Sequence, residues 1–89
     1  MRYELFYTKK AWADLQELSI ADSRRIVTKL KHFLGQPNPL ANSKPLKGMF
    51  KGLFRFRVGD YRTIFSKDAK GNLTILTIIT VRHRKDVYE

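Results

Sequence analysis

The segment Phe54–Phe65 constrains the fold more than any other part of the chain, because apolar and polar residues alternate on both sides of Gly59-Asp60. Alternation with a period of two around a Gly-Asp pair is typical of an antiparallel β-hairpin with a two-residue turn. Counting outward from that turn places Arg57 directly opposite Arg62. The apolar face of the hairpin, which we expect to be core, is then formed by Phe54, Phe56, Val58, Tyr61, Thr63 and Phe65.

The residues before the hairpin predict one strand and two helices. Residues 3–7 are aromatic-rich and short, which favours a strand. Thr8 is a suitable N-cap for a first helix in which apolar residues recur at helical spacing, namely Ala11, Trp12, Leu15 and Leu18. Ser19-Ile-Ala-Asp22 predicts a weak capping box at the start of a second helix, and Gly35 with the prolines after it predicts its end.

After the helices the chain becomes strand-rich. The proline-punctuated stretch 37–45 predicts a surface loop, and strands are expected over 53–58, 61–65 and 73–82, with a turn over 67–72. The last of these strands is apolar on both faces, which favours an interior position in the sheet. The order β-α-α-β-β-β predicts an α+β domain in which a helical hairpin packs on a mainly antiparallel, four-stranded sheet.

Length and charge limit what such a domain does. The 89 residues suffice for a single domain, residues 1–89, and the 18 basic and 8 acidic residues give a net charge of +10. Residues 1–43 carry 7 bases and 4 acids, whereas residues 44–89 carry 11 and 4, so most of the excess lies in the strand-rich half. A charge of this size indicates a polyanionic or acidic partner. We find no signal peptide or membrane segment and expect a cytoplasmic protein.

The arginines of the hairpin are candidates for binding phosphate. Arg55, Arg57 and Arg62 fall on the face opposite the predicted core, and two of them are directly opposed at some cost to the sheet. An anion that bridges the guanidinium groups offsets this cost, and arginine suits phosphate better than lysine does. The alternative is a solvated sheet face on which the long side chains simply lie.

The end of the last strand adds further candidates, Arg82-His83-Arg84-Lys85. His83 has the side chain whose unperturbed pKa suits proton transfer near neutrality, although a plain surface histidine is the alternative. If alternation persists to the end of the strand, Arg82 and His83 lie on opposite faces. The chain has no cysteine and two histidines, so we expect neither a metal site nor a cofactor.

Two motifs carry a resemblance: Leu-Lys-Gly48 followed by Leu-Phe-Arg-Phe-Arg-Val-Gly-Asp-Tyr-Arg62, and the ending Val-Arg-His-Arg-Lys-Asp-Val-Tyr88. In this order, and in a chain of this length, they resemble the RelE toxins of the RelE/ParE toxin–antitoxin superfamily. The resemblance implies a fold like that of small microbial RNases. It also implies a metal-independent endoribonuclease, or mRNA interferase, that cleaves mRNA in the ribosomal A site and inhibits translation.

The family's site residues transfer to this chain by position. The resemblance implies catalytic roles for Arg57, Arg62, Arg82 and Tyr88, to which we add His83 as the candidate acid or base. Further RNA contacts are expected from basic residues near the two motifs, namely Lys47, Lys51, Arg55, Arg84 and Lys85. Arginines stand where some RelE toxins have lysines, and a guanidinium cannot act as a general base, so the proton acceptor is not identified.

The resemblance also implies the partners. A RelB-like acidic antitoxin is expected to neutralise the basic chain in a hetero-oligomer, and the ribosome and mRNA are the expected targets, with no membrane involved. One alternative is a ParE-like inhibitor of DNA gyrase. Another is an RNA-binding domain without catalytic activity.

Overall fold

The computed structural model describes residues 2–86, which form two helices and a mixed five-stranded sheet. The spatial order of the strands is β1-β5-β4-β3-β2, in which β1 and β5 are parallel and all other neighbours are antiparallel. The elements in chain order are β1 (Arg2–Tyr7), α1 (Lys9–Gln16), α2 (Ile20–Leu34), β2 (Ser43–Pro45), β3 (Phe54–Val58), β4 (Tyr61–Lys70) and β5 (Leu73–His83). The predicted α+β class and helical hairpin are confirmed.

The two helices begin at the caps that the sequence predicts. The Thr8 hydroxyl accepts a hydrogen bond from the Ala11 amide, and the Ser19 hydroxyl accepts one from the Asp22 amide. Each bond satisfies one of the free amides at a helix start. The Asp22 carboxylate accepts a hydrogen bond from the Tyr61 hydroxyl at 3.1 Å, so it connects α2 to β4.

The prediction of a four-stranded sheet with a loop over 37–45 is wrong in part. Residues Ser43–Pro45 form a fifth strand, β2, which pairs with β3 at the edge of the sheet. Three residues that include a proline give no periodic signal, and an edge strand tolerates proline because one side of it needs no ladder bonds. The turn predicted over 67–72 is confined to Gly71 and Asn72, since β4 continues to Lys70.

The core lies between the helices and one face of the sheet. Phe33 of α2 stacks on Phe56 of β3 with ring centroids 4.8 Å apart, and Phe56 stacks on Phe65 of β4 at 4.6 Å. The predicted core face is therefore confirmed for the hairpin. Trp12 differs from its predicted role in the apolar stripe of α1, because half of its surface is exposed (50%) while it contacts Tyr7.

Candidate functional site

Three arginines form a row across three neighbouring strands. Arg57 of β3 lies directly opposite Arg62 of β4, and Arg62 lies directly opposite Arg82 of β5. Adjacent strands in a sheet are about 4.8 Å apart, so the row sets side chains at regular intervals across the sheet. We call Arg57, Arg62 and Arg82 the arginine row. It lies on the face of the sheet that does not contact the helices, because Phe56 and Val58 on the other face belong to the core.

The turn between β3 and β4 sets the pairing of Arg57 with Arg62. The register is the one counted from the sequence, from Val58 opposite Tyr61 to Phe54 opposite Phe65. Gly59 has a φ of +59°, and no residue other than glycine in the described chain has positive φ, which matches a turn with glycine at its first central position. Asp60 ties the end of β5 to this turn, since its carbonyl accepts a bond of 2.7 Å from the Arg84 amide.

Burial differs along this face of the sheet. Arg57 is exposed, Arg62 and Arg82 are half-buried, and Arg55 is buried with 9% of its surface exposed. Arg55 lies opposite Ile64, of which 1% is exposed, so its side chain sits against an apolar neighbour. A partly desolvated arginine interacts with an anion more strongly than one in bulk water, because the local dielectric is lower. The face thus has the charge and the partial burial that phosphate binding requires.

His83 lies on the other side of the sheet from the arginine row. It pairs with Tyr61, and the two rings meet edge to face with centroids 5.4 Å apart. Its Nδ1 accepts a hydrogen bond from the Lys85 amide at 3.2 Å, which leaves the proton of the neutral ring on Nε2. Arg82 and His83 therefore lie on opposite faces of β5, and the structure does not bring His83 together with Arg57, Arg62 and Arg82.

Tyr61 beside His83 is also a poor proton acceptor. Burial raises the pKa of the Tyr61 hydroxyl, and the hydrogen bond to the Asp22 carboxylate raises it further. The hydroxyl is therefore neutral at physiological pH. Tyr61 and His83 both lie on the face of the sheet opposite to the arginine row.

The remaining predicted RNA contacts lie in exposed segments. Lys47 and Lys51 flank a short 3₁₀ turn, Gly48–Phe50, between β2 and β3. Arg84 and Lys85 are exposed and follow directly after β5. Tyr88, which the resemblance implies to be catalytic, lies outside the described residues.

Lys44 is a basic residue of this face that sequence reasoning missed. It lies on β2 directly opposite Arg55, so the two occupy the same face of the sheet. It was missed because β2 itself was not predicted, and without that strand Lys44 had no assigned face. Lys44 therefore extends the face with an ammonium group beside the guanidinium groups.

The described residues contain no cluster of three or more His, Asp or Glu side chains that could hold a metal ion. None of their helices is long and apolar enough to cross a membrane. The guanidinium groups of the arginine face act as fixed cations. They bind phosphate and stabilise negative charge that develops on it, but they do not accept a proton.

Comparisons with known proteins agree over nearly the whole chain. The model of a family described as the ParE toxin of type II toxin-antitoxin system, parDE, matches residues 5–88. No curated protein sequence gives a significant match.

Solved structures give a similar result. The toxin–antitoxin complex RelBE2 from Mycobacterium tuberculosis contains a chain with 28% identity and a TM-score of 0.66, covering 94% of this chain and 100% of its own. A chain of the archaeal RelE–RelB complex from Pyrococcus horikoshii has 27% identity and a TM-score of 0.67, with 98% and 100% covered. A YoeB/ParE toxin from Agrobacterium tumefaciens, at 23% identity and a TM-score of 0.66 with 93% and 98% covered, shares the fold.

Proposed function

For this chain, which belongs to the ParE toxin family of type II toxin–antitoxin systems within the RelE/ParE superfamily, we propose the activity of a ribosome-dependent mRNA endonuclease that cleaves in the A site. The superfamily and the fold expected from the sequence are confirmed. The observation that supports nuclease activity is the arginine row, since three arginines at directly opposed positions on one sheet face suit a phosphate that gains charge during reaction.

The proposed reaction is attack of a ribose 2′-oxygen on the adjacent phosphorus. The P–O2′ bond forms, the P–O5′ bond breaks, and the products are a 2′,3′-cyclic phosphate and a 5′-hydroxyl. The proton of the 2′-hydroxyl leaves to a base, and the departing 5′-oxygen receives a proton. In this scheme Arg57, Arg62 and Arg82 stabilise the pentacovalent phosphorane, while Arg55 and Lys44 hold neighbouring phosphates.

His83 has no direct part in this scheme, because it faces away from the row. The proton acceptor is therefore sought elsewhere, in Tyr88 or on the ribosome itself. Tyr88 is proposed to orient the nucleotide, by stacking on a base or by contacting the 2′-hydroxyl. Lys47 and Lys51 before β3, and Arg84 and Lys85 after β5, are proposed to contact the RNA backbone from their exposed positions.

Primer-extension mapping of mRNA on translating ribosomes tests this function. We expect cuts phased with the A-site codon when the protein is present, and none when it is omitted. Cuts without this phase, or intact mRNA with a fully active toxin preparation, would contradict the proposal. Ribosome binding without cleavage would favour the noncatalytic RNA-binding domain.

A gyrase inhibitor is the second candidate, because the family model that matches carries the ParE description. Supercoiling and cleavage assays with purified gyrase test it directly. Inhibition of gyrase with no effect on mRNA would contradict the nuclease proposal and support gyrase inhibition as the function. We rank it second because gyrase inhibition does not require a row of three arginines on one sheet face.

We also propose an acidic, RelB-like antitoxin as the partner. Two of the similar chains come from structures described as toxin–antitoxin complexes, and the net charge of +10 favours an acidic binding segment. Coexpression with the neighbouring small open reading frame is expected to restore growth of cells that make this protein. Growth arrest that persists when both proteins are made would count against this partner.

A further inference from the structure

The pairing of β5 with β4 contains an irregularity three residues before Arg82. Phe65 pairs with Ile78 and Ile64 pairs with Thr80, so Ile79 is an extra residue that faces no partner on β4. This is a β-bulge, which shifts the alternation of side chains by one residue.

The bulge decides which face Arg82 occupies. Before it, Leu76 and Ile78 belong to the core; after it, Val81 does. With strict alternation from Ile78, Arg82 would point towards the helices and His83 towards the arginine row. The extra residue reverses both, and Arg82 lies opposite Arg62 as a result.

The start of α1 supplies hydrogen-bond partners for the bulge. The Thr8 amide donates to the Ile78 carbonyl at 2.9 Å, and the Thr8 hydroxyl donates to the Ile79 carbonyl at 2.8 Å. The same hydroxyl accepts from the Ala11 amide, so the cap of α1 is fixed to the bulge. A bulge disrupts the regular ladder locally, and buried backbone groups there need other partners.

The second support is the carboxylate of Asp14, which lies further along α1. One of its oxygens accepts bonds from the Thr80 hydroxyl at 2.6 Å and from the Val81 amide at 2.9 Å. The other oxygen accepts a hydrogen bond from Lys10. Asp14 therefore holds the two residues that stand between the bulge and Arg82.

We propose that Asp14 is a positioning residue for Arg82: its carboxylate fixes the bulge and thereby places this arginine in the row with Arg57 and Arg62. The catalytic consequence rests on the proposed nuclease function, but the structural consequence does not. The orientation of residues 81–83 should depend on Asp14 whatever reaction the protein catalyses.

The structural half is tested by NMR spectroscopy of Asp14→Ala and Asp14→Asn. We expect the Val81 amide to exchange with solvent at least about tenfold faster in Asp14→Ala, and the ring contacts between Tyr61 and His83 to be lost or weakened. Asp14→Asn keeps an acceptor oxygen and should give an intermediate result, and it carries the test if the alanine variant does not fold. Glu17→Ala is the matched control, because it removes an exposed acid from the same helical segment and leaves both bonds to β5 in place.

The catalytic half is tested by a double-mutant cycle with Arg82→Ala on programmed ribosomes. Asp14→Ala should slow cleavage in the wild-type background and have little effect in the Arg82→Ala background, because both changes remove the same group from the row. Equal slowing in both backgrounds would overturn the positioning role. Unchanged Val81 exchange and intact Tyr61–His83 contacts in Asp14→Ala would overturn the proposal as a whole.

The two proposals fail in distinguishable ways. If the wild type cleaves no mRNA and the NMR changes still occur, the nuclease function is wrong and the control of Arg82 orientation stands. If the wild type cleaves mRNA and the NMR spectra of residues 81–83 are unaffected by Asp14→Ala, the nuclease function stands and the control of Arg82 orientation by Asp14 is wrong.

Discussion

At the scale of single residues, Gly59 is the one on which the pairing of Arg57 with Arg62 depends. Its φ of +59° is strained for any residue with a side chain, and a Cβ there would lie 2.9 Å from Nη2 of Arg25. The guanidinium group of Arg25 is flexible and is able to move aside. The cost of the substitution therefore comes mainly from the strained backbone conformation at position 59. We therefore expect Gly59→Ala to lower the free energy of unfolding by about 1 kcal/mol in urea titrations.

Gly35→Ala is the matched control for this prediction. Gly35 ends α2 with a φ of −81°, and a Cβ there would meet the His32 carbonyl at an ordinary distance of 3.5 Å. Alanine at such a position leaves stability unchanged or raises it by about 0.5 kcal/mol. Equal destabilisation by the two substitutions would contradict the role given to the Gly59 turn.

Tyr7 offers a second prediction at this scale. Its hydroxyl is buried without a hydrogen-bond partner among residues 2–86, and burial raises its pKa. Removing a polar atom that has no partner costs nothing, so Tyr7→Phe should be neutral or stabilise the fold by about 1 kcal/mol in thermal or urea unfolding. Tyr61→Phe is the contrast, because it removes the hydrogen bond to Asp22 and should lower stability. A clear loss of stability in Tyr7→Phe would show that the hydroxyl has a partner in solution.

At the scale of elements, the sequence predicted those parts whose pattern is local. The helix caps at Thr8 and Ser19 and the register of the β3–β4 hairpin all follow from a few adjacent residues, and all are confirmed. The strand β2 was not predictable in this way, since its three residues become a strand only because β3 offers a free edge.

In the candidate site, too, the sequence predicts what adjacent residues determine and does not predict what depends on distant elements. The pairing of Arg57 with Arg62 was counted from the turn, whereas the place of Arg82 opposite Arg62 depends on a bulge that α1 supports. No periodicity in β5 marks that bulge, because the strand is apolar on both sides of it. The sequence left open whether Arg82 and His83 lie on one face, and the structure assigns them to opposite faces.

The contact between α1 and β5 predicts a pH dependence. Burial alone would raise the pKa of Asp14, but hydrogen bonds from Lys10, Thr80 and Val81 outweigh it and lower the pKa below its ordinary value. A lowered pKa means that this carboxylate stabilises the fold above its unfolded-state pKa of about 3.9, and that the stabilisation is lost as the pH falls through the folded-state pKa. Asp14 lines a cleft between α1 and the end of β5, and the other titratable residues around this cleft are Lys10, Glu17, Tyr61, Arg82 and His83.

We therefore expect the stability difference between the wild type and Asp14→Asn to be full at pH 5–7 and to shrink below pH 4. Urea unfolding at a series of pH values measures it. The control is the stability difference between the wild type and Glu17→Gln. Glu17 is exposed, and its side chain has no hydrogen bond to β5 among the described residues. A difference that stays constant down to pH 2 would contradict the role given to the Asp14 carboxylate.

At the scale of the whole molecule, the net charge is +10, and basic residues lie on both sides of the sheet. The arginine row, Arg55 and Lys44 lie on the face away from the helices, while the exposed basic residues of α2, such as Arg24, lie on the other side. Binding of single-stranded RNA to the first face should weaken with salt, because each neutralised phosphate releases counterions.

This arrangement predicts which arginines set the salt dependence. Arg57→Ala should reduce the slope of log K against log salt by about 0.7 for single-stranded RNA, as expected for one lost phosphate contact. Arg24→Ala removes the same charge from α2 and should leave the slope unchanged. Fluorescence-anisotropy titrations at several salt concentrations measure both. Equal changes in slope would indicate that RNA does not prefer the arginine face.

The most direct test of the central claim, that the arginine row catalyses cleavage, is the single-turnover rate of mRNA cleavage on programmed ribosomes for Arg62→Ala against Arg24→Ala. We expect Arg62→Ala to lower the rate about 100-fold or more, in line with the loss of a preorganised donor to a developing negative charge. Ribosome binding should weaken only modestly in the same variant, and Arg24→Ala should cleave at nearly the wild-type rate. A wild-type cleavage rate in Arg62→Ala would contradict the account.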